Sequence, residues 1–130
     1  MITMLYAGLL GLFFFYLSIE TIKARRSNQV SIGPGKNDEI GKIVAAHGNF
    51  SSYTAFFLVA LGYVESSTTV APVFIHLLGA GFTLGRILHY KAFAGKMNFT
   101  FRKSGMHLTL WPLLIISIIL ISYYLKPLVS

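Results

Sequence analysis

The chain contains no cysteine. Disulfides, a protein thiol nucleophile and a sulfur-ligated metal are thereby excluded, and any thiol chemistry must use a thiol that a ligand brings. Carboxylates are almost as scarce, with Glu20, Asp38, Glu39 and Glu65 making up the whole set. A cation path lined by Asp and Glu has little to draw on, and no span is interrupted as transporter helices often are. Charge of either sign amounts to 12% of the 130 residues, against the roughly 25% usual in soluble domains. No internal repeat and no second, soluble domain can be discerned.

What fills the chain instead is apolar sequence. Met1 to Ile19, Ile43 to Val64, Ser66 to Gly85 and Leu108 to Leu125 carry no charge at all. Each is near the ~20 residues that an α-helix needs to cross a bilayer. An all-α integral membrane protein of four helices follows, as one domain over 1–130 with spans near 1–24, 38–64, 68–90 and 104–125. The first run has no basic residue before it, and Lys23, Arg25 and Arg26 follow it. We expect a retained helix there, not a cleaved signal peptide.

The net charge of +7 would suggest nucleic acid in a soluble protein. Its placement points elsewhere, and no nucleic-acid partner is expected. Lys23, Arg25, Arg26, Lys36 and Lys42 lie at or between the ends of spans one and two; Arg86, Lys91, Lys96, Arg102 and Lys103 lie at or between the ends of spans three and four. The turn around Glu65 has none, and the C-terminal end has only Lys126. The positive-inside rule puts both basic connections in the cytoplasm and both termini on the opposite face.

Local signals place the joints. Gly33-Pro34-Gly35 reads as a turn. Asn37 or Asp38 can cap the second helix, with Asp38 and Glu39 suited to its positive end. Ser104 is the expected cap of the fourth, whose early turns Pro112 should loosen. Gly81 and Gly85 form a small-xxx-small pair that lets two helices approach closely.

Polar residues inside a span need partners. On a helical wheel, Lys42, Ala45, Ser52, Tyr53 and Phe56 fall within about 60° of Asn49, while His47 and Ser51 fall on the opposite side. The second helix therefore has two polar faces. One can look into its own bundle, and the other calls for lipid or a second subunit, which points to an oligomer. Ser51 is expected to bond back to its own helix. His47, His76, His89 and His107 show no paired metal-ligand spacing, so no metal site is expected. Arg86, His89 and Tyr90 share a face at the end of the third helix, and Arg102 stands at the mouth of the fourth. A guanidinium within a membrane usually pairs or lines a polar cavity. An anionic ligand at the cytoplasmic third of the bilayer would account for both arginines.

The motifs "AAHGNFSSY", "LGRILHY" and "FRKSGM", in that order and preceded by "ARR", resemble the MAPEG family, the membrane-associated proteins of eicosanoid and glutathione metabolism. The bacterial small-protein branch, and with it a bacterial inner membrane, fits best. The resemblance implies a left-handed four-helix bundle assembled as a homotrimer, with glutathione held between subunits near the cytoplasmic face. It makes Arg102 the residue that stabilises the glutathione thiolate. Arg25, His47, Asn49, Ser52, Tyr53, Arg86 and His89 stand at positions matching glutathione contacts, and Arg25 and Arg86 suit carboxylates. Two departures are plain. The family's second helix usually carries an arginine and a glutamate where this chain has Ala45 and Ser52, and its third helix often carries tyrosines where His89 and Phe93 stand. Losing a charge pair jointly leaves no single buried charge orphaned, but it also removes the carboxylate that would receive the tripeptide's amino group.

The resemblance thus implies a membrane glutathione transferase or peroxidase acting on lipophilic electrophiles. The alternative is a non-catalytic trimer that binds a lipid or other anionic amphiphile at the subunit interface.

Overall fold

The computed structural model describes residues 1–33, 35, 38–93 and 97–129, with side chains through Pro127. Pro34, Lys36, Asn37 and Lys96, and with them the expected Gly33-Pro34-Gly35 turn and Asn37 cap, lie outside the described residues. Four helices account for nearly everything else: α1 Thr3–Ser27, α2 Asp38–Ser67, α3 Pro72–Lys91 and α4 Phe99–Val129. All four are long and apolar enough to cross a membrane. At about 1.5 Å per residue α4 is near 46 Å long, well over the ~30 Å hydrocarbon layer.

Two helix starts differ from expectation by four residues or more, for identifiable reasons. Pro72 occupies the first turn of α3, where its missing N–H and fixed φ are favourable, so the helix begins four residues later than 68. The fourth helix begins five residues earlier than 104. Asn98 Oδ1 accepts the N–H of Phe101 at 3.0 Å, the geometry of an N-cap, and Ser104 lies inside the helix, which runs on through Pro112. Arg102 therefore belongs to the first turns of α4. Asp38 and Glu39 do occupy the first turn of α2, where acids complement the helix dipole.

The joints pair ends of opposite sense. At the end bearing the N-terminus, the Glu65 carboxylate accepts the N–H groups of Ile2 and of Thr3 (2.8 Å), capping α1, whose Ile2 offers no side-chain cap. Tyr123 bonds Thr69 Oγ1 there at 2.6 Å. At the basic end Tyr16 and Tyr90 meet hydroxyl to hydroxyl at 3.3 Å. Between these levels Leu10, Phe57, Leu61, Phe82 and Ile116 are wholly enclosed, and Phe57 stacks on Phe82 with centroids 3.7 Å apart.

The tightest approach is α3 against α4. A Cβ on Gly85 would stand 3.0 Å from the Gly105 carbonyl oxygen, and one on Gly105 would stand 2.7 Å from the His89 nitrogen. Gly81 has open space instead. The close pair is Gly85 with Gly105 across the interface, not Gly81 with Gly85 along one helix. Outside, Leu12, Phe15, Phe56, Leu77 and Ile121 stand exposed. A greasy exterior around a partly polar interior is the pattern that lipid demands.

Candidate functional site

The polar interior begins at Arg86, in the last turns of α3. Its side chain is 2% exposed. One guanidinium nitrogen donates to Asn49 Oδ1 of α2 at 2.6 Å, and another donates to Thr109 Oγ1 of α4 and lies 3.9 Å from the Met106 sulfur. Thr109 gives its own proton to the Gly105 carbonyl at 2.8 Å, which leaves its oxygen free to accept from Arg86. The rings of Tyr53 and Phe82 stand 5.5 and 5.6 Å from the guanidinium carbon. A planar guanidinium suits such a fork-and-stack site far better than an ammonium would.

Every one of these partners is neutral. Arg86 Nε is buried without a partner among the described residues. Removing a cation from water without a counter-charge costs several kcal/mol, and hydrogen bonds from neutral groups recover only part of that. The bundle thus holds an uncompensated positive charge one layer beneath the outer face of α2. Above it, Asn49 and Tyr53 are half-buried.

A second group continues from it toward the basic end. His89, one turn further along α3, is 4% exposed and lies within electrostatic reach of both Arg86 and Arg102. Its ring meets Phe93 at 5.2 Å, and the exposed Arg102 guanidinium stands 5.7 Å from the same Phe93 ring. Arg86, His89 and Arg102 form a line of donors from the interior to the surface.

Other candidates lie elsewhere. His47 points to α1: its Nε2 lies 3.1 Å from Ser18 Oγ, and its ring stacks on Phe14 at 5.1 Å. Ser18 donates its proton to the Phe14 carbonyl, so His47 Nε2 carries the hydrogen. The second polar face of α2 is therefore satisfied within the chain, and His47 does not call for another subunit as the wheel implied. Arg25 donates to the Gly33 carbonyl at 2.9 Å, tied to the first connection. Ser52 is exposed, with its hydroxyl turned back to the Gly48 carbonyl. Ser51 bonds the His47 carbonyl as expected.

Asn49, Tyr53 and Arg86 are thus in direct contact, with His89 and Arg102 adjoining, while Arg25, His47 and Ser52 stand apart. Thr109 and Met106 were missed by sequence reasoning. Gly105 and Thr109, four apart on α4, were the available signal: a small-xxx-small spacing on the helix that Gly85 approaches.

The face of α2 left open runs Ala45, Gly48, Ser52, Phe56, Val59 and Tyr63. It is small at the basic end and bulky at the other, and a Cβ at Gly48 would meet nothing within 4 Å. On the far side, between α3 and α4, an apolar groove of about 630 Å³ is lined by Phe74, Leu78, Gly81, Leu108 and Trp111 among others. Gly81 and Leu108 put its inner end one turn from Gly85 and next to Thr109.

No curated protein and no solved structure matches the chain. A family model, that of the MAPEG family, matches residues 3–122, nearly the whole four-helix bundle. With its greasy exterior and its arginine-centred interior, the chain is an integral membrane protein of the MAPEG family.

Proposed function

We propose that this protein is a glutathione-dependent transferase or peroxidase of lipophilic substrates, working in the membrane as a homotrimer with its thiol site between copies. The observation that carries the proposal is the buried, uncompensated Arg86 beneath Asn49 and Tyr53, continued by His89 and Arg102. It is a set of donors whose acceptors within the chain are neutral, which suits a ligand that brings carboxylates and a thiolate.

Arg102 is the residue assigned to the thiol. A free thiol has a pKa near 8.5, and a guanidinium at a helix N-terminus favours the thiolate twice over, by its charge and by the helix dipole. Arg102 stands in the first turns of α4 and is open to a ligand. The thiolate forms a carbon–sulfur bond with an electrophilic carbon, whose leaving group departs with the bonding pair. With a lipid hydroperoxide, sulfur attacks the terminal oxygen. That releases the alcohol and leaves a sulfenic acid, which a second glutathione converts to disulfide and water. The apolar groove beside Gly81 and Leu108 gives a lipophilic partner a place within reach of the lipid.

The charge bias supports a cytoplasmic side for the basic connections, where reduced glutathione is supplied. The open face of α2, with Ala45, Gly48 and Ser52 at that level, is the surface for a neighbouring copy.

Glutathione titration against thermal unfolding of the detergent-solubilised protein tests this. At a hundredfold its Kd a ligand stabilises by ~2.7 kcal/mol. An unmoved transition at millimolar glutathione would overturn the proposal. Where binding occurs, the ultraviolet absorbance of bound thiolate should vanish in Arg102→Ala while binding persists. The neutral partners of Arg86 favour a second reading, a non-catalytic binder of an anionic amphiphile. Stabilisation by a fatty acid but not by glutathione would select it.

A further inference from the structure

We infer that the groove between α3 and α4 selects an acyl chain that carries an O–H group near its middle; this specifies the lipophilic partner that the proposed function seats there, and to that extent rests on it. Ala71 lines the groove at its mouth, with Gly81, Leu108, Trp111 and Pro112 further in. Ala71 stands at the start of α3, at the end of the bundle that bears the N-terminus. Gly81 lies ten residues on, about 15 Å along the axis, which is half of the ~30 Å hydrocarbon layer. The groove thus has the depth of one leaflet's chains. Among the described residues, none that lines it carries a charge or a hydroxyl.

Two polar groups interrupt this apolar wall. Trp111 is the chain's only tryptophan. Tryptophan favours the headgroup level, where its N–H is wet, yet Trp111 lies twelve residues into α4 from Phe99 and is 58% exposed. Its indole N–H has no partner among the described residues. One turn earlier, the Leu108 carbonyl lacks the donor that an α-helix supplies four residues on, because that residue is Pro112, which has no N–H. Thr109 and Ser117, the hydroxyls that flank this stretch, give their protons to the Gly105 and Leu113 carbonyls instead. Lipid tails satisfy neither a bare donor nor a bare acceptor. A chain carbonyl or ether would take the indole proton and leave Leu108 short of a donor. An O–H group serves both.

The single tryptophan makes the test direct, since bromine quenches indole fluorescence on contact. Methyl dibromostearate is bound to the full-length protein in detergent and displaced by methyl oleate or by methyl ricinoleate, which differ only in a mid-chain hydroxyl. These uncharged esters leave the arginine site unengaged. Methyl ricinoleate is expected to displace the probe about tenfold more effectively, the effect of two modest hydrogen bonds. Pro112→Ala returns an N–H to the Leu108 carbonyl and should reduce that preference to about threefold, with displacement by methyl oleate unchanged. Gly81→Leu fills the inner end and should abolish quenching that either ester can displace. Equal displacement by the two esters in the parent protein would overturn the inference. So would a preference undiminished in Pro112→Ala, or displaceable quenching that persists in Gly81→Leu. Absence of quenching by the brominated ester would mean that a neighbouring copy covers the groove, and would overturn it too. No thiol enters these measurements, so an unmoved transition in the glutathione titration would overturn the proposed function while the groove's preference still stood.

Discussion

Arg86 carries most of the interpretive weight, and its substitution separates stability from function. In Arg86→Met the buried charge is gone and the apolar stem is kept. Asn49 is only half-buried, and Thr109 retains its bond to Gly105. Replacing a buried charge by a well-packed apolar side chain is often neutral or stabilising by 1–4 kcal/mol, so the thermal transition of ligand-free Arg86→Met should be unchanged or higher. Stabilisation by glutathione should be abolished. A variant that unfolds earlier would mean that the Asn49–Arg86–Thr109 contacts are chiefly a structural tie. Thr109 makes the opposite case. In Thr109→Val the arginine stays and loses an acceptor in a fully enclosed place, which should cost about 1–3 kcal/mol. Thr109→Ser, which restores the hydroxyl, should recover most of it, as read from the same melting curves. Sequence reasoning reached Arg86 and Asn49 because an arginine and an asparagine inside apolar runs need an explanation. It did not reach Thr109, because a threonine in a membrane helix is explained by its own backbone; here one hydroxyl serves both ends.

Helix pairs were legible in outline and not in contact detail. Four charge-free runs ending in basic clusters define four spans whatever the tertiary packing. The start of α4 was not evident, since Ser104 and Asn98 are both good caps and only the chain's path chooses between them. Nor could glycine spacing say which glycine touches what. Gly81 and Gly85 share a spacing, yet only Gly85 meets another helix, because α4 crosses at Gly105. Gly85→Ala and Gly105→Ala should each force α3 and α4 apart and cost about 1–3 kcal/mol. Gly81→Ala, facing the groove, should stay within about 0.5 kcal/mol of the parent. Thermal unfolding of the three variants in one detergent decides this. Equal losses at Gly81 and Gly85 would show that the crossing point is wrong.

At the scale of the whole molecule, the open question is what covers α2. The wheel argued for a second subunit through His47, and that route closed once Ser18 and Phe14 received the imidazole. What remains is the exposed edge of the Asn49 face, where Ala45, Gly48 and Ser52 present a strip of small residues. In lipid, helices associate through such small residues because they let backbones approach. Gly48→Leu is the decisive variant. Gly48 is exposed and a Cβ there meets nothing within 4 Å, so the protomer should fold as before and its helical content should not change. Against a neighbouring helix the same leucine would collide. The expected outcome is a shift of the detergent-solubilised protein from the proposed trimer to monomer by native mass measurement, with glutathione stabilisation lost in parallel. Loss of the trimer with binding intact would place the thiol site inside one protomer, where Arg86 is already enclosed. Retention of both would remove the α2 strip from the interface and require another surface to complete the site.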